Sequence, residues 1–156
     1  MFKLFKSTSA AALALGMVSA TMAQETIKVG VIEPLTGSVA YNGQAFVSGA
    51  KLAVERRNAA GGVLGRKIEL VIGDGQCRPA NSLNAAGKLV QRDKEVALAG
   101  AFCSSATAAV MPVAEKYKVP LLTGVSSKAD LTEKGMQYFF RSAETDRLMS
   151  KAFSKI

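Results

Sequence analysis

From Thr26 onward the chain repeats one alternation: a short apolar run, a turn-rich stretch, then a longer segment with apolar residues every three or four positions. In the first run, "TIKVGVIEPL", Ile27, Val29 and Val31 alternate with other residues before Ile32 and Pro34 close it. This predicts a mostly buried strand. The turn-rich stretch from Leu35 to Gln44, "LTGSVAYNGQ", predicts a loop. Phe46, Ala50, Ala53 and Val54 then recur at helical spacing, so a helix is expected from Gln44 to Ala60, stopped by "AAGG" at Ala59 to Gly62.

The cycle repeats along the rest of the chain. "RKIELVIGD", Arg66 to Asp74, predicts a second strand and "GQCRP" a loop. A helix follows from Pro79 or Ala80 to near Asp93, with Leu83, Ala86 and Val90 on one face. "VALAGAF", Val96 to Phe102, is the third strand, and Ser104 to Tyr117 the third helix. Pro112 predicts a kink or restart there, because proline removes a hydrogen bond from a helix interior. "PLLTG" forms a fourth strand, Ser127 to Gly135 a brief helix, "QYFFRS" a fifth strand, and Thr145 opens a last helix.

Strands joined by helix-length connections imply parallel pairing through right-handed crossovers. The expected fold class is therefore α/β: a three-layer open parallel sheet with helices on both faces. Ligands in such folds sit beyond the carboxyl ends of the strands, where strand order reverses. In a flavodoxin-like order, 2-1-3-4-5, that point lies between the first and third strands. The loops that follow them are "LTGSVAYNG" and "CSSAT".

Length and composition place this pattern in context. With 156 residues, 49% of them hydrophobic, the chain suits one domain or part of one. Its start, "MFKLFKSTSAAALALGMVSATMAQ", carries Lys3 and Lys6, an apolar stretch from Ala10 to Val18, and small residues to Ala23. Residues 1–23 thus read as a secretory signal peptide, leaving 24–156 as a soluble exported protein. Export changes the reading of Cys77 and Cys103, the only two cysteines. An even count in an oxidising compartment favours a disulfide, worth about 3.5 kcal/mol on the loop-entropy model, over two buried free thiols.

Charge and missing residues narrow the chemistry. The formal charge of +8 falls to +6 without the first 23 residues, since 18 basic and 12 acidic residues remain. The basic residues are scattered and no aromatic residues interleave with them, so no nucleic-acid partner is expected. No histidine occurs, which removes histidine metal sites and histidine-dependent triads. "GVSSK" lacks the last glycine of a nucleophile elbow, "GDGQCR" ends in Arg78 where a dinucleotide fingerprint needs glycine, and no phosphate-binding P-loop or CxxC pair is present. No enzyme activity, metal or cofactor is expected.

What remains is a set of hydroxyls at strand ends. Ser104 and Ser105 stand where the third strand becomes a helix. There a serine caps the helix, or joins the exposed N–H groups in holding a carboxylate. Ser126 and Ser127 project from the next strand-to-helix loop and form a second such cluster. Asp146 in a first helical turn either answers the helix dipole or holds a cation. Tyr41 and Asn42, after the first strand, either wall the crevice or form a turn.

The runs "IKVGVIEPLTGSVAYNGQ", "NAAGGVLGRKIELVIGD", "CRPANSLNAAGKLV", "AFCSSATAAVMPVAEKYKVPLLTG" and "ADLTEKGMQYFFRSAETD" together resemble the branched-chain amino-acid-binding proteins of bacterial ABC transporters, which are type I periplasmic binding proteins. The resemblance covers essentially all of residues 24–156. It implies two α/β lobes closing on a ligand, of which this chain supplies the opening part of the N-terminal lobe and lacks the second. It further implies that Cys77 pairs with Cys103 and that Ser104 holds the ligand α-carboxylate. Ser127 would complete that site with backbone contacts from Val125 and Ser126, and Asp146 would partner the ligand ammonium.

Departures from the family pattern are Ser127 where threonine is commoner, Gly124 where proline is frequent, and Asn42 where an aromatic residue often walls the pocket. The implied function is a periplasmic receptor, monomeric when complete, that delivers an amino acid to an inner-membrane ABC permease. A receptor for aromatic or other organic acids, or a ligand-sensing module, is the alternative.

Overall fold

The computed structural model describes residues 25–155, so the signal-peptide segment 1–23 lies outside the described residues. Strands β1 (Ile27–Glu33), β2 (Ile68–Asp74), β3 (Ala97–Gly100), β4 (Leu121–Thr123) and β5 (Phe139–Arg141) form one parallel sheet in the order β2-β1-β3-β4-β5. Between them run the helices α1 (Ala40–Ala59), α2 (Pro79–Gln91) and α3 (Ser104–Tyr117), with a 3-10 turn at Ala129–Thr132 and a final helix α4 (Asp146–Phe153). This is the expected strand order, reversing direction between β1 and β3. Right-handed crossovers on either side of that reversal send α1 to one face and α2 and α3 to the other.

The continuous core fills the space between the sheet and the α2–α3 layer. Ile32 and Leu98 from the central strands meet Ala86 and Leu89 of α2, Val110, Met111 and Ala114 of α3, and Leu121 of β4. α2 places Pro at its start, where a missing N–H costs nothing, and buries the stripe containing Ala86 and Val90 that its spacing predicts. Leu83, expected on the same stripe, remains 43% exposed. α3 continues through Pro112 without a restart: that residue is exposed, so its ring meets solvent rather than the core.

Two boundaries differ from expectation in ways that matter for the site. α1 begins at Ala40, four residues before Gln44, and so takes Tyr41 and Asn42 out of the loop and into its first turn. Buried Gly43 permits this, because a Cβ there would collide with the Pro34 carbonyl and the helix start sits directly on the end of β1. β3 ends at Gly100 rather than Phe102. Gly100 adopts φ +111°, a conformation that takes the chain out of the ladder and turns Ala101–Cys103 toward α3.

Candidate functional site

The carboxyl ends of β3, β4 and β5 carry the predicted serines and Asp146. Cys103 is the N-cap of α3, and neither Ser104 nor Ser105 caps it: no side chain bonds to the first turn. This corrects the capping reading. Ser105 is exposed, while half-buried Ser104 turns its Oγ toward the neighbouring loop and accepts from the Lys128 N–H at 3.3 Å. The N–H groups of Ser104, Ser105 and Ala106 have no partner among the described residues, as the first turn of an uncapped helix leaves them.

The structure pairs Cys77 with Cys103, their Cα atoms 5.3 Å apart. The link ties the β3–α3 junction to the β2–α2 loop, where Gln76 and Cys77 both hold positive φ. That loop is fixed further by Asp74. Burial works to raise its pKa, but bonds from the Thr36 hydroxyl and the Leu35 and Gln76 N–H groups outweigh it and hold the carboxyl below its ordinary range.

Ser126 does not project into the site. Its hydroxyl is buried and lies 2.6 Å from Thr107 Oγ1, with the Ala101 and Phe102 carbonyls at 3.0 and 3.1 Å, and its N–H donates to Thr123 Oγ1. Ser126 is a strut between the β4 loop and the β3–α3 junction. Thr107 and Thr123, its partners, escaped the sequence reading. The available signal was a hydroxyl on the apolar face of α3, among Ala106, Val110 and Met111, which has to find a partner when buried. Val125, beside Ser126, is 38% exposed at the loop surface.

Ser127 is half-buried, and its carbonyl accepts from the Asp146 N–H at 2.9 Å. Asp146 opens α4, whose cap is Thr145: its Oγ1 accepts from the Leu148 N–H at 3.1 Å. The Asp146 carboxylate is exposed and has no ion-pair partner among the described residues. Two hydrogen bonds, from the Lys128 N–H to Ser104 Oγ and from the Asp146 N–H to the Ser127 carbonyl, therefore set Ser104, Ser127 and Asp146 on adjoining segments. Tyr41, 84% exposed, and Asn42 stand on α1 at the end of β1, and no hydrogen bond joins them to that group.

At the switch point itself lies a residue the sequence reading passed over. Glu33 ends β1 fully buried beneath Gly100, with no hydrogen-bond partner for either carboxylate oxygen among the described residues, and burial pushes its pKa up to about 8. No cluster of three or more His, Cys, Asp or Glu among the described residues has the arrangement of a metal site. A groove of about 630 Å³ between α2 and α3, lined by Leu83, Lys88, Pro112 and Tyr117 among others, includes none of the strand-end residues. Ser104, Ser127 and Asp146 lie instead at the carboxyl ends of the strands.

Comparison with known proteins gives relatives of the same fold. An amino acid binding protein of Pseudomonas aeruginosa is 37% identical over 145 residues, covering 92% of this chain and 39% of that protein. The branched-chain amino acid transporter substrate binding protein LivJ from Streptococcus pneumoniae, solved in complex with isoleucine, superposes with a TM-score of 0.75 at 38% identity, over 78% of this chain and 35% of that one. A solute binding protein of an ABC transporter from Rhodopseudomonas palustris, in complex with 3,4-dihydroxy benzoic acid, gives a TM-score of 0.71 at 32% identity, over 77% and 32%. The chain thus spans well under half the length of these relatives. The family model described as periplasmic binding protein matches residues 26–155. A parallel sheet in the order 2-1-3-4-5, polar groups gathered at its carboxyl edge and a match along nearly all the described residues lead to one conclusion: this chain belongs to the periplasmic binding protein family.

Proposed function

We propose that this chain is the N-terminal lobe of an exported solute-binding protein that captures an amino acid, branched-chain in type, and delivers it to an inner-membrane ABC permease. The supporting observation is the convergence of Ser104, Ser127 and Asp146 through the Lys128-to-Ser104 and Asp146-to-Ser127 bonds. Because the Ser104 hydroxyl accepts from a backbone N–H, its proton is left to donate outward. With the unpaired N–H groups of α3's first turn and the Ser127 hydroxyl, it suits the acceptor lone pairs of a carboxylate. Asp146, exposed and unpaired, supplies the opposite charge for an ammonium group. The protein binds and releases its ligand without chemical change. Residues 1–23 direct export to the periplasm, and a second lobe closes over the open face to exclude water and signal the permease.

A second reading is favoured by the Rhodopseudomonas palustris relative, whose ligand is an aromatic acid. Such a ligand uses the same carboxylate cradle and leaves Asp146 without a role. Calorimetric titration of the complete protein with a panel of amino acids and benzoates separates the two. Heat with leucine, isoleucine or valine is the expected result. Heat with benzoates alone supports the second reading, and silence with every carboxylate overturns both.

A further inference from the structure

We propose that Arg141 is the positioning residue of the ligand loop, fixing Ser127 for carboxylate binding by fastening the backbone on both sides of it. The proposal rests on the reading of Ser127 as a carboxylate donor. Arg141 is the last residue of β5, and its guanidinium reaches across the end of β4. Nη1 donates to the Ser126 carbonyl at 3.3 Å and to the Lys128 carbonyl at 2.8 Å, while Nη2 donates to the Thr132 hydroxyl at 2.6 Å. The intervening carbonyl, that of Ser127, is held by the Asp146 N–H at 2.9 Å. Three consecutive carbonyls, 126 to 128, are therefore all tied by donors from the segment Arg141–Asp146. The Ser127 hydroxyl between these ties has no partner among the described residues, so the loop is fixed in backbone and open in side chain.

The residue type matters. A planar guanidinium fork spans separated acceptors at once, which a lysine ammonium does not. No carboxylate among the described residues pairs with Arg141: the ion pairs are Arg92–Asp93, Lys128–Asp130 and Arg147–Glu133. Its charge is met by carbonyl and hydroxyl dipoles alone.

A double-mutant cycle in the complete protein, read by calorimetric titration with L-isoleucine, tests the assignment. The proteins are wild type, Ser127→Ala, Arg141→Met and the double variant, with thermal melts confirming that each is folded. If Arg141 acts through Ser127, each single change weakens binding about tenfold or more, and the double variant is little worse than the weaker single one. Arg141→Lys, which keeps the charge and loses the fork, then binds like Arg141→Met; it also takes that variant's place in the cycle should Arg141→Met fail to fold. Losses that multiply in the double variant, or full affinity with Arg141→Lys, overturn the positioning role while leaving the carboxylate site intact. Unchanged affinity in both Ser104→Ala and Ser127→Ala overturns the carboxylate reading itself, and this inference with it.

Discussion

Two side chains at the strand ends, Glu33 and Ser104, answer to different measurements. Glu33 has a carboxyl pushed by burial from 4.5 up to about 8, so between those values the folded chain holds a proton that the unfolded chain releases. Its contribution to stability is complete below about pH 4.5 and is lost as pH rises through about 8. The ionisable group nearest in register is Asp74 on β2, which is occupied by its own donors. Glu95, at the opposite end of the sheet, adds a slope of the same sign. Burial raises it to about 7, with Lys28 opposing and Asp93 and Glu69 assisting. Urea unfolding at pH 5 and pH 8 should therefore show wild type losing stability with pH. Glu33→Gln should lose less and be more stable than wild type by about 1–3 kcal/mol at pH 8; equal pH slopes would contradict the assignment. For Ser104→Ala, affinity for isoleucine in the complete protein should fall by about 1–3 kcal/mol. Because Ser104 does not cap α3, the same change should move unfolding stability by only about 0.5 kcal/mol. A loss of stability with unchanged affinity would mark it as structural.

The element whose placement most depends on a single covalent link is the β3–α3 junction. Cys77 and Cys103 are 26 residues apart, and joining them removes about 3.5 kcal/mol of loop entropy from the unfolded chain. Reduction, or Cys77→Ser with Cys103→Ser, should lower the denaturant midpoint by a corresponding amount; a midpoint insensitive to reductant would show that the noncovalent contacts of the junction, the buried Ser126–Thr107 pair among them, suffice to hold it. Element type was readable because spacing is local: the stripe of α2 and the alternation of β1 each declare themselves within a few residues. Element ends were less so. α1 starts at Ala40 because Gly43 fits against the Pro34 carbonyl, a contact between segments that no local window contains.

Across the whole molecule, the face of the sheet that carries α1 is only partly covered. Leu122 on β4 and Phe140 on β5 are register partners, 47% and 51% exposed. Adjacent exposed apolar side chains of this size mark a surface that associates. The 156-residue chain by itself should therefore brighten a hydrophobic dye such as ANS. It should also bind isoleucine far more weakly than the complete protein, since one open face leaves the ligand in water. Affinity equal to that of the complete protein would mean that these strand ends alone form the site.

What the sequence determined by itself was the alternation of strand and helix, the crossovers that follow from it, and the place where polar groups gather. Each rests on periodicity and chain connectivity, which are properties of order along the chain. Only the tertiary structure decided how the hydroxyls divide their work. Ser126 turns inward because Thr107 and two carbonyls meet it there, whereas the Ser104 hydroxyl takes a backbone donor from the next loop and the Ser127 hydroxyl has no partner among the described residues. Glu33 and Arg141 belong to the same class. A buried carboxyl without partners, and a guanidinium spanning the carbonyls on either side of a serine, exist only once separate strands end side by side, and nothing in the letters around either residue sets them apart.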